Sequence, residues 1–320
     1  MEKENEAGSM EKATLATEGV TNPIMTKSDQ TNKSTTKSDQ TLAEQLAEDQ
    51  HKMFMRSQDY MQEIEAEIRQ TQPLVSPREP ISALVDSYDV NESTEFYFKA
   101  VELAETYSEI RRIRGDGNCF YRAVLTAILE RCMADRAELN RITQICKAWR
   151  PKLFAFGFPE LTTGDFCDAM DIVLESIRNG TTSMEFLFGD LNQDSIANYY
   201  VAFIRLITSG YLREKESDFA GFIEGGRSMD QYCKDEVEPM WRDCDHICII
   251  ALVNALRTPI RIEYMDRSQA PNGGWHHDVL INEPGEDEQR QPALHFLYRP
   301  GHYDILYPNT NKSAATETKN

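Results

Sequence analysis

Gly115-Asp116-Gly117-Asn118-Cys119-Phe120-Tyr121-Arg122-Ala123 decides how this chain is read. Two glycines, an aspartate and an asparagine make a turn-forming run. It ends at a cysteine, and helix-like sequence follows at once. Backbone N–H groups at a helix start lack intrahelical partners and carry positive partial charge. They can lower a thiol pKa and hold an oxyanion. Cys119 therefore has the setting of a nucleophile, and a nucleophilic thiol needs a base. The best candidate lies near the other end, in Arg299-Pro300-Gly301-His302-Tyr303-Asp304-Ile305-Leu306-Tyr307. Pro300-Gly301 fits the centre of a type II turn, with His302 to Tyr307 as the return strand of a hairpin. Residues i and i+2 of a strand share a face, so His302 and Asp304 point together and Tyr303 points away. A carboxylate beside an imidazole holds its tautomer and stabilises the imidazolium.

If that face meets Cys119, the three residues form a Cys-His-Asp triad. Asp304 orients His302, and His302 takes the proton from Cys119. Cys119 then attacks a carbonyl to give a thioester, which water hydrolyses. Backbone N–H groups of Cys119 and of the Asp116-Gly117-Asn118 turn would bind the tetrahedral oxyanion. The rival reading makes Cys119 a buried, inert thiol at a helix start and the His-x-Asp triplet a chance match.

The chain has 320 residues, enough for one large domain plus tails, and a hydrophobic fraction of 40% supports a real core. A net charge of −19, from 34 basic and 53 acidic residues, argues against nucleic acid as a partner. The acidity either keeps the protein soluble or attracts a basic protein. Met1 to Asn5 has no apolar core like that of a signal peptide. The most apolar run, Ile247 to Leu256, is too short for a bilayer, so no membrane is expected. Seven cysteines without framework spacing read as reduced thiols, consistent with a cytoplasmic and nuclear location. Cys244-Asp245-His246-Ile247-Cys248 lacks the four-ligand spacing of a zinc site, so neither metal nor cofactor is expected.

Residues 1–41 read as a disordered polar tail containing a duplicated hexapeptide, Thr26 to Thr31 and Thr36 to Thr41. Residues 42–72 read as a helical arm with Phe54, Met61, Ile64 and Ile68 on one face. That face packs on its own domain or meets a partner. Helices are expected at Ile81 to Tyr107 in two pieces, from Cys119, at Ala137 to Lys152, at Thr163 to Arg178, at Asp194 to Ser209 closed by Gly210, and at Asp243 to Leu256. Behind Cys119, Ala123, Ala127 and the Val124/Ile128 row would face a core. Strands are expected at Pro259 to Met265, His277 to Ile281, Ala293 to Tyr298 and in the final hairpin. Helices first and antiparallel strands last give an α+β domain over 73–308, with its core at 108–308 and a disordered tail at 309–320.

The motif Asp116 to Ala123 resembles the nucleophile motif of ovarian-tumour-type (OTU) deubiquitinases, and Arg299 to Tyr307 resembles the otubain branch in particular. Leu206 to Leu212, Phe222 to Arg227, Glu236 to Met240, Asp245 to Ile247, Glu263 to Arg267 and Pro73 to Ser76 agree too. The resemblance implies a papain-like fold of the OTU type, a mostly antiparallel sheet packed between helical regions. It implies a cysteine peptidase that cleaves isopeptide bonds of polyubiquitin chains, favouring the linkage that marks proteins for the proteasome. Cys119 would be the nucleophile, His302 the base, Asp304 its orienter and Asp116 a shaper of the oxyanion pocket with Gly117 and Asn118. Gly225, Gly226, His246 and His277 would touch substrate. The partners implied are ubiquitin, polyubiquitin chains and ubiquitin-charged conjugating enzymes. The alternative is a non-catalytic regulator that binds such enzymes and blocks chain synthesis. The arm agrees with the family in pattern more than in residues, and the loop Ser268 to Gln291 is longer and more acidic than expected.

Overall fold

The computed structural model describes residues 70–266, 276–282 and 290–309, with isolated positions between 48 and 68. The expected polar tail, most of the arm, much of the loop before the final hairpin and the C-terminal tail from residue 310 lie outside the described residues. The described positions of the arm are helical, down to Thr71, whose hydroxyl donates to the Glu67 carbonyl at 2.8 Å. Contacts divide the chain into Met1–Asp59 and Tyr60–Asn320, and every element below belongs to the second unit.

Six strands make one sheet: β1 (Val75–Pro80), β2 (Tyr107–Ile113), β3 (Ile260–Tyr264), β4 (His276–Val279), β5 (Leu294–Arg299) and β6 (His302–Pro308). Their order is β1-β2-β6-β5-β3-β4, and every neighbour is antiparallel except β3 and β5. β1 escaped the sequence reading because it carries Pro77 and Pro80. Proline cannot donate to a ladder, so such a strand is tolerated only at an edge, where β1 lies. β5 and β6 are the expected hairpin, with Gly301 in the left-handed region at φ 75°. Alternation along them serves two cores. Phe296, Tyr303 and Ile305 enter the larger one, and Leu297 and Leu306 the smaller. The smaller core is closed by α1 (Thr94–Thr106) and the short turn Ser82–Val85.

The larger core centres on α2 (Cys119–Ala134). Sequence pattern suggested one inward row, but the helix is buried around its whole circumference from Cys119 to Glu130. The sheet covers one side of it. The other is packed by α3 (Arg136–Ala155), α4 (Glu160–Asn179), α5 (Met184–Leu191) and α6 (Asp194–Glu214). α7 (His246–Leu256) lies against α6 and is capped by Asp245, whose carboxylate accepts from the Cys248 N–H at 3.0 Å. Because α2 has no wet face, its N-terminus is held from every direction. That fixes the Cys119 backbone.

Several boundaries differ from the sequence reading: α3 runs on to Ala155, and α7 begins at His246 rather than Asp243. α4 begins at Glu160, with Thr163 and Gly164 inside its first turns. α6 does not stop at Gly210 but runs on to Glu214. Gly210 is there for proximity, since a Cβ at this position would sit 3.0 Å from the Trp149 ring and 3.2 Å from Leu153. We expect Gly210→Val to overpack this contact and cost about 1–3 kcal/mol. A urea unfolding midpoint equal to or above that of the unsubstituted chain would show that the glycine is not needed there.

Candidate active site

The loop between β2 and α2 brings the sequence-predicted residues together. Strand pairing between β2 and β6 runs from Tyr107 opposite Pro308 to Arg111 opposite Ile305, and then the ladder opens. The Asp304 carboxylate fills the opening: its Oδ1 accepts the Ile113 N–H at 2.9 Å and meets His302 Nε2 at 3.0 Å. Its Oδ2 accepts from Arg299 at 2.5 Å across the hairpin turn. Asp304 has no solvent exposure. Burial alone would raise its pKa, but the His302 hydrogen bond, the Arg299 and His302 charges and the Ile113 N–H outweigh it, and the pKa lies below the ordinary carboxylate value.

His302 meets Asp304 through Nε2, and its Nδ1 faces Gly115, where a Cβ would lie 3.5 Å away. Burial pulls the His302 pKa down, and the hydrogen bond to Asp304, with Cys119 beside the ring, overcomes that and raises it to about 9. At neutral pH His302 therefore carries its proton, the form that pairs with a thiolate and can later protonate a leaving amine.

The turn ahead of Cys119 is rigid. Asp116 Oδ1 accepts the Asn118 N–H at 3.0 Å, and its Oδ2 accepts from the buried Arg122 at 2.6 Å. That commits the Asn118 N–H, expected from sequence to face an oxyanion, to Asp116. Among the described residues the Gly117 and Cys119 N–H groups make no hydrogen bond, and these two remain for an oxyanion. Gly117 holds φ 71°, and a Cβ there would lie 2.5 Å from the backbone of Trp241. Only glycine lets the loop pass so close. The Asn118 side chain is turned inward, where its Oδ1 accepts from Arg205 and from the Trp241 N–H.

A cavity of about 350 Å³ opens beside Cys119, lined also by Asp243, Asp245, His246, Tyr264 and Tyr303. His246 thus reaches the site, with the His277 ring 6.0 Å from its own. Gly225 and Gly226 form a separate exposed turn with left-handed φ angles of 76° and 65° and do not line this cavity. A second cavity, of about 510 Å³, lies on the other side of His302, between Gln72, Pro73, Arg112, Arg114 and Gly115. Sequence reasoning passed over Arg122 and Arg205. Each is a cation inside an apolar helical run, which was the readable sign of a buried polar contact. Among the described residues no group of histidine, cysteine and carboxylate side chains could hold a metal ion, and no helix is long and apolar enough to cross a membrane.

A thiol at a helix start, with an imidazolium beside it that is hydrogen-bonded to a buried carboxylate, defines a cysteine-peptidase site. Comparison with known proteins narrows the class. Residues 67–308 match the family model for peptidase C65, otubain. The chain is 46% identical to a ubiquitin thioesterase otubain-like protein of Caenorhabditis elegans, over 76% of this chain and 84% of that one. It is 40% identical to human ubiquitin thioesterase OTUB1, over 79% of this chain and 89% of that one. Among solved structures it resembles the ceOTUB1 chain in a complex with ubiquitin aldehyde and UBC13~Ub. There the TM-score is 0.73 and the identity 46%, covering 78% of this chain and 98% of that one. An h/ceOTUB1 chain in a structure with ubiquitin aldehyde and UBCH5B~Ub gives a TM-score of 0.73 at 45% identity, covering 82% of this chain and 99% of that one. The chain belongs to the otubain family of cysteine peptidases.

The raised pKa of His302 sets the sign of the pH dependence. Steps that need the imidazolium proceed below about pH 9 and fail as pH rises through it. Asp304→Asn removes the charge that sustains the imidazolium, so the alkaline limb of kcat/KM should move down by about 1–3 pH units. A limb that stays in place would mean that Asp304 does not govern His302.

Proposed function

We propose that this chain is a deubiquitinase that hydrolyses isopeptide bonds in polyubiquitin, with Cys119 as nucleophile, His302 as acid and base, and Asp304 as the group that orients His302. The observation that carries the reading is the His302–Asp304 hydrogen bond set beside Cys119, which opens onto a cavity that it shares with His246. Relatives covering most of the chain are named ubiquitin thioesterases, and solved relatives were captured with ubiquitin aldehyde.

The chemistry follows from the geometry. The distal ubiquitin lays its C-terminal tail in the cavity between Tyr264, Tyr303 and His246, with its last carbonyl at Cys119. The Cys119 thiolate attacks that carbonyl carbon. The oxyanion so formed is received by the N–H groups of Gly117 and Cys119. As the C–N bond breaks, His302 gives its proton to the departing lysine amine, which leaves on the side of the second cavity. A water then enters, His302 takes a proton from it, and the hydroxide attacks the thioester. Cys119 is released and the tail leaves as a carboxylate. Asp304 keeps the imidazole ring in one orientation through both proton transfers. Asp116 acts by holding the turn, not by moving a proton.

The family resemblance supports the finer reading that the chain favours the proteasome-targeting linkage. It also supports a second activity, binding of ubiquitin-charged conjugating enzymes, because the solved relatives were captured with UBC13~Ub and UBCH5B~Ub. Cys119→Ala separates the two. Assayed against all eight di-ubiquitin linkages, the unsubstituted chain should cleave one linkage well ahead of the others, and the variant none. The same variant should still slow chain assembly by a conjugating enzyme. Cleavage by Cys119→Ala at the unsubstituted rate would overturn the mechanism. Unimpeded chain assembly would overturn the second activity alone.

A further inference from the structure

Arg205 lies in α6 within the apolar run Val201 to Ile207, and its side chain is fully buried. Its guanidinium stacks over the Tyr121 ring, with the central carbon 4.3 Å from the ring centroid. A buried cation is costly unless its donors are all used. Each of the three guanidinium nitrogens of Arg205 donates to neutral oxygens. Nε donates to Asn118 Oδ1 at 3.1 Å and Nη1 to the Val237 carbonyl at 3.0 Å. Nη2 donates to Asn118 Oδ1 at 2.7 Å, the Gly117 carbonyl at 2.8 Å and the Arg242 carbonyl at 2.6 Å. Every one of these acceptors lies in the turn ahead of Cys119 or in the segment that leads to the cavity wall at Asp243 to His246.

One of these bonds has a partner on the far side of the same peptide unit. Arg205 holds the Gly117 carbonyl, and Asp116 Oδ1 holds the Asn118 N–H. The Gly117–Asn118 peptide plane is therefore pinned at both ends. Without the pins, a glycine at φ 71° permits that plane to turn over at low steric cost. A turned plane would put the Gly117 oxygen where the Asn118 N–H now points and redirect the chain entering Cys119. The oxyanion donors on either side would lose their aim. A neutral residue at 205 would also leave the acceptors in the turn and in the wall segment without donors.

We propose that Arg205 is a positioning residue for the acyl-transfer step: it locks the Gly117–Asn118 peptide plane and fixes that turn to the segment leading to the cavity wall. It touches neither substrate nor the reacting atoms. This assignment rests on the deubiquitinase reading, and the test keeps the two apart.

The test uses Arg205→Lys in the full chain, which keeps the charge but cannot reach all the acceptors at once. Ubiquitin aldehyde reads the oxyanion pocket directly, because the Cys119 sulfur adds to its carbonyl carbon and leaves a tetrahedral oxygen. We expect kcat for di-ubiquitin and affinity for ubiquitin aldehyde to fall together by about 100- to 1,000-fold. KM and the rate of Cys119 alkylation by iodoacetamide, which needs no oxyanion pocket, should stay within about threefold. Asp116→Ala releases the other end of the plane. If both residues pin one plane, the double variant loses less than the product of the two single losses. A merely structural role would lower alkylation, aldehyde affinity and thermal stability in step, and that result overturns the proposal. So does an unchanged aldehyde affinity, or strictly multiplicative losses in the cycle. If Arg205→Lys fails to fold, Arg205→Gln, which keeps a side-chain donor without the buried charge, takes its place. The same measurements then support or overturn the proposal in the same way. If the unsubstituted chain neither cleaves di-ubiquitin nor binds ubiquitin aldehyde, the deubiquitinase reading fails and takes this proposal with it.

Discussion

A carboxylate without solvent access joins the sheet to the chemistry. Asp304 lies where the β2–β6 ladder opens, and its two oxygens take the Ile113 N–H, the His302 ring and the Arg299 guanidinium. Left alone in that setting the group would be neutral, because burial disfavours charge. The three donors reverse the balance and keep it ionised. Its charge in turn helps to keep His302 protonated against the same burial. The strand opening, the hairpin turn and the imidazolium are thus one electrostatic arrangement. Each part would lose its reason without the others.

The Cys119 side of the site is built by different means. α2 is buried all round, so its first residue has little freedom. The turn before it passes so close to Trp241 that only glycine fits at 117. Asp116, Asn118, Arg122 and Arg205 then tie the turn together through side-chain hydrogen bonds. What is left unbonded among the described residues of the turn is the pair of N–H groups that an oxyanion needs. Rigidity here is a matter of hydrogen bonds in a dry setting, where each is worth more than in water. The peptide and imidazole groups therefore need little rearrangement as charge develops.

Much of this was legible in the sequence, and the limits of legibility follow from range. His302 and Asp304 could be paired because a strand repeats every two residues. The turn and helix at Gly115 to Cys119 were readable because glycine, aspartate and asparagine act locally. The hairpin followed from Pro300-Gly301. What could not be read depends on contacts distant in sequence. Gly210 looks like a helix stop and is in fact a close approach to Trp149. Val75–Pro80 hides its strand behind two prolines that only an edge position excuses. The Asn118 N–H looks free in the sequence, and only the folded turn gives it to Asp116. Arg205 reaches across from α6 to acceptors that no local pattern connects with it.

Buried Asp304 holds His302 as an imidazolium at neutral pH. Nitrogen NMR of the full chain labelled in its histidine rings tests it most directly, with the His302 signals assigned by His302→Gln. Both His302 ring nitrogens should be protonated at pH 7, and the ring should lose a proton near pH 9. A neutral ring at pH 7, titrating at or below the ordinary histidine value of about 6.5, would contradict it.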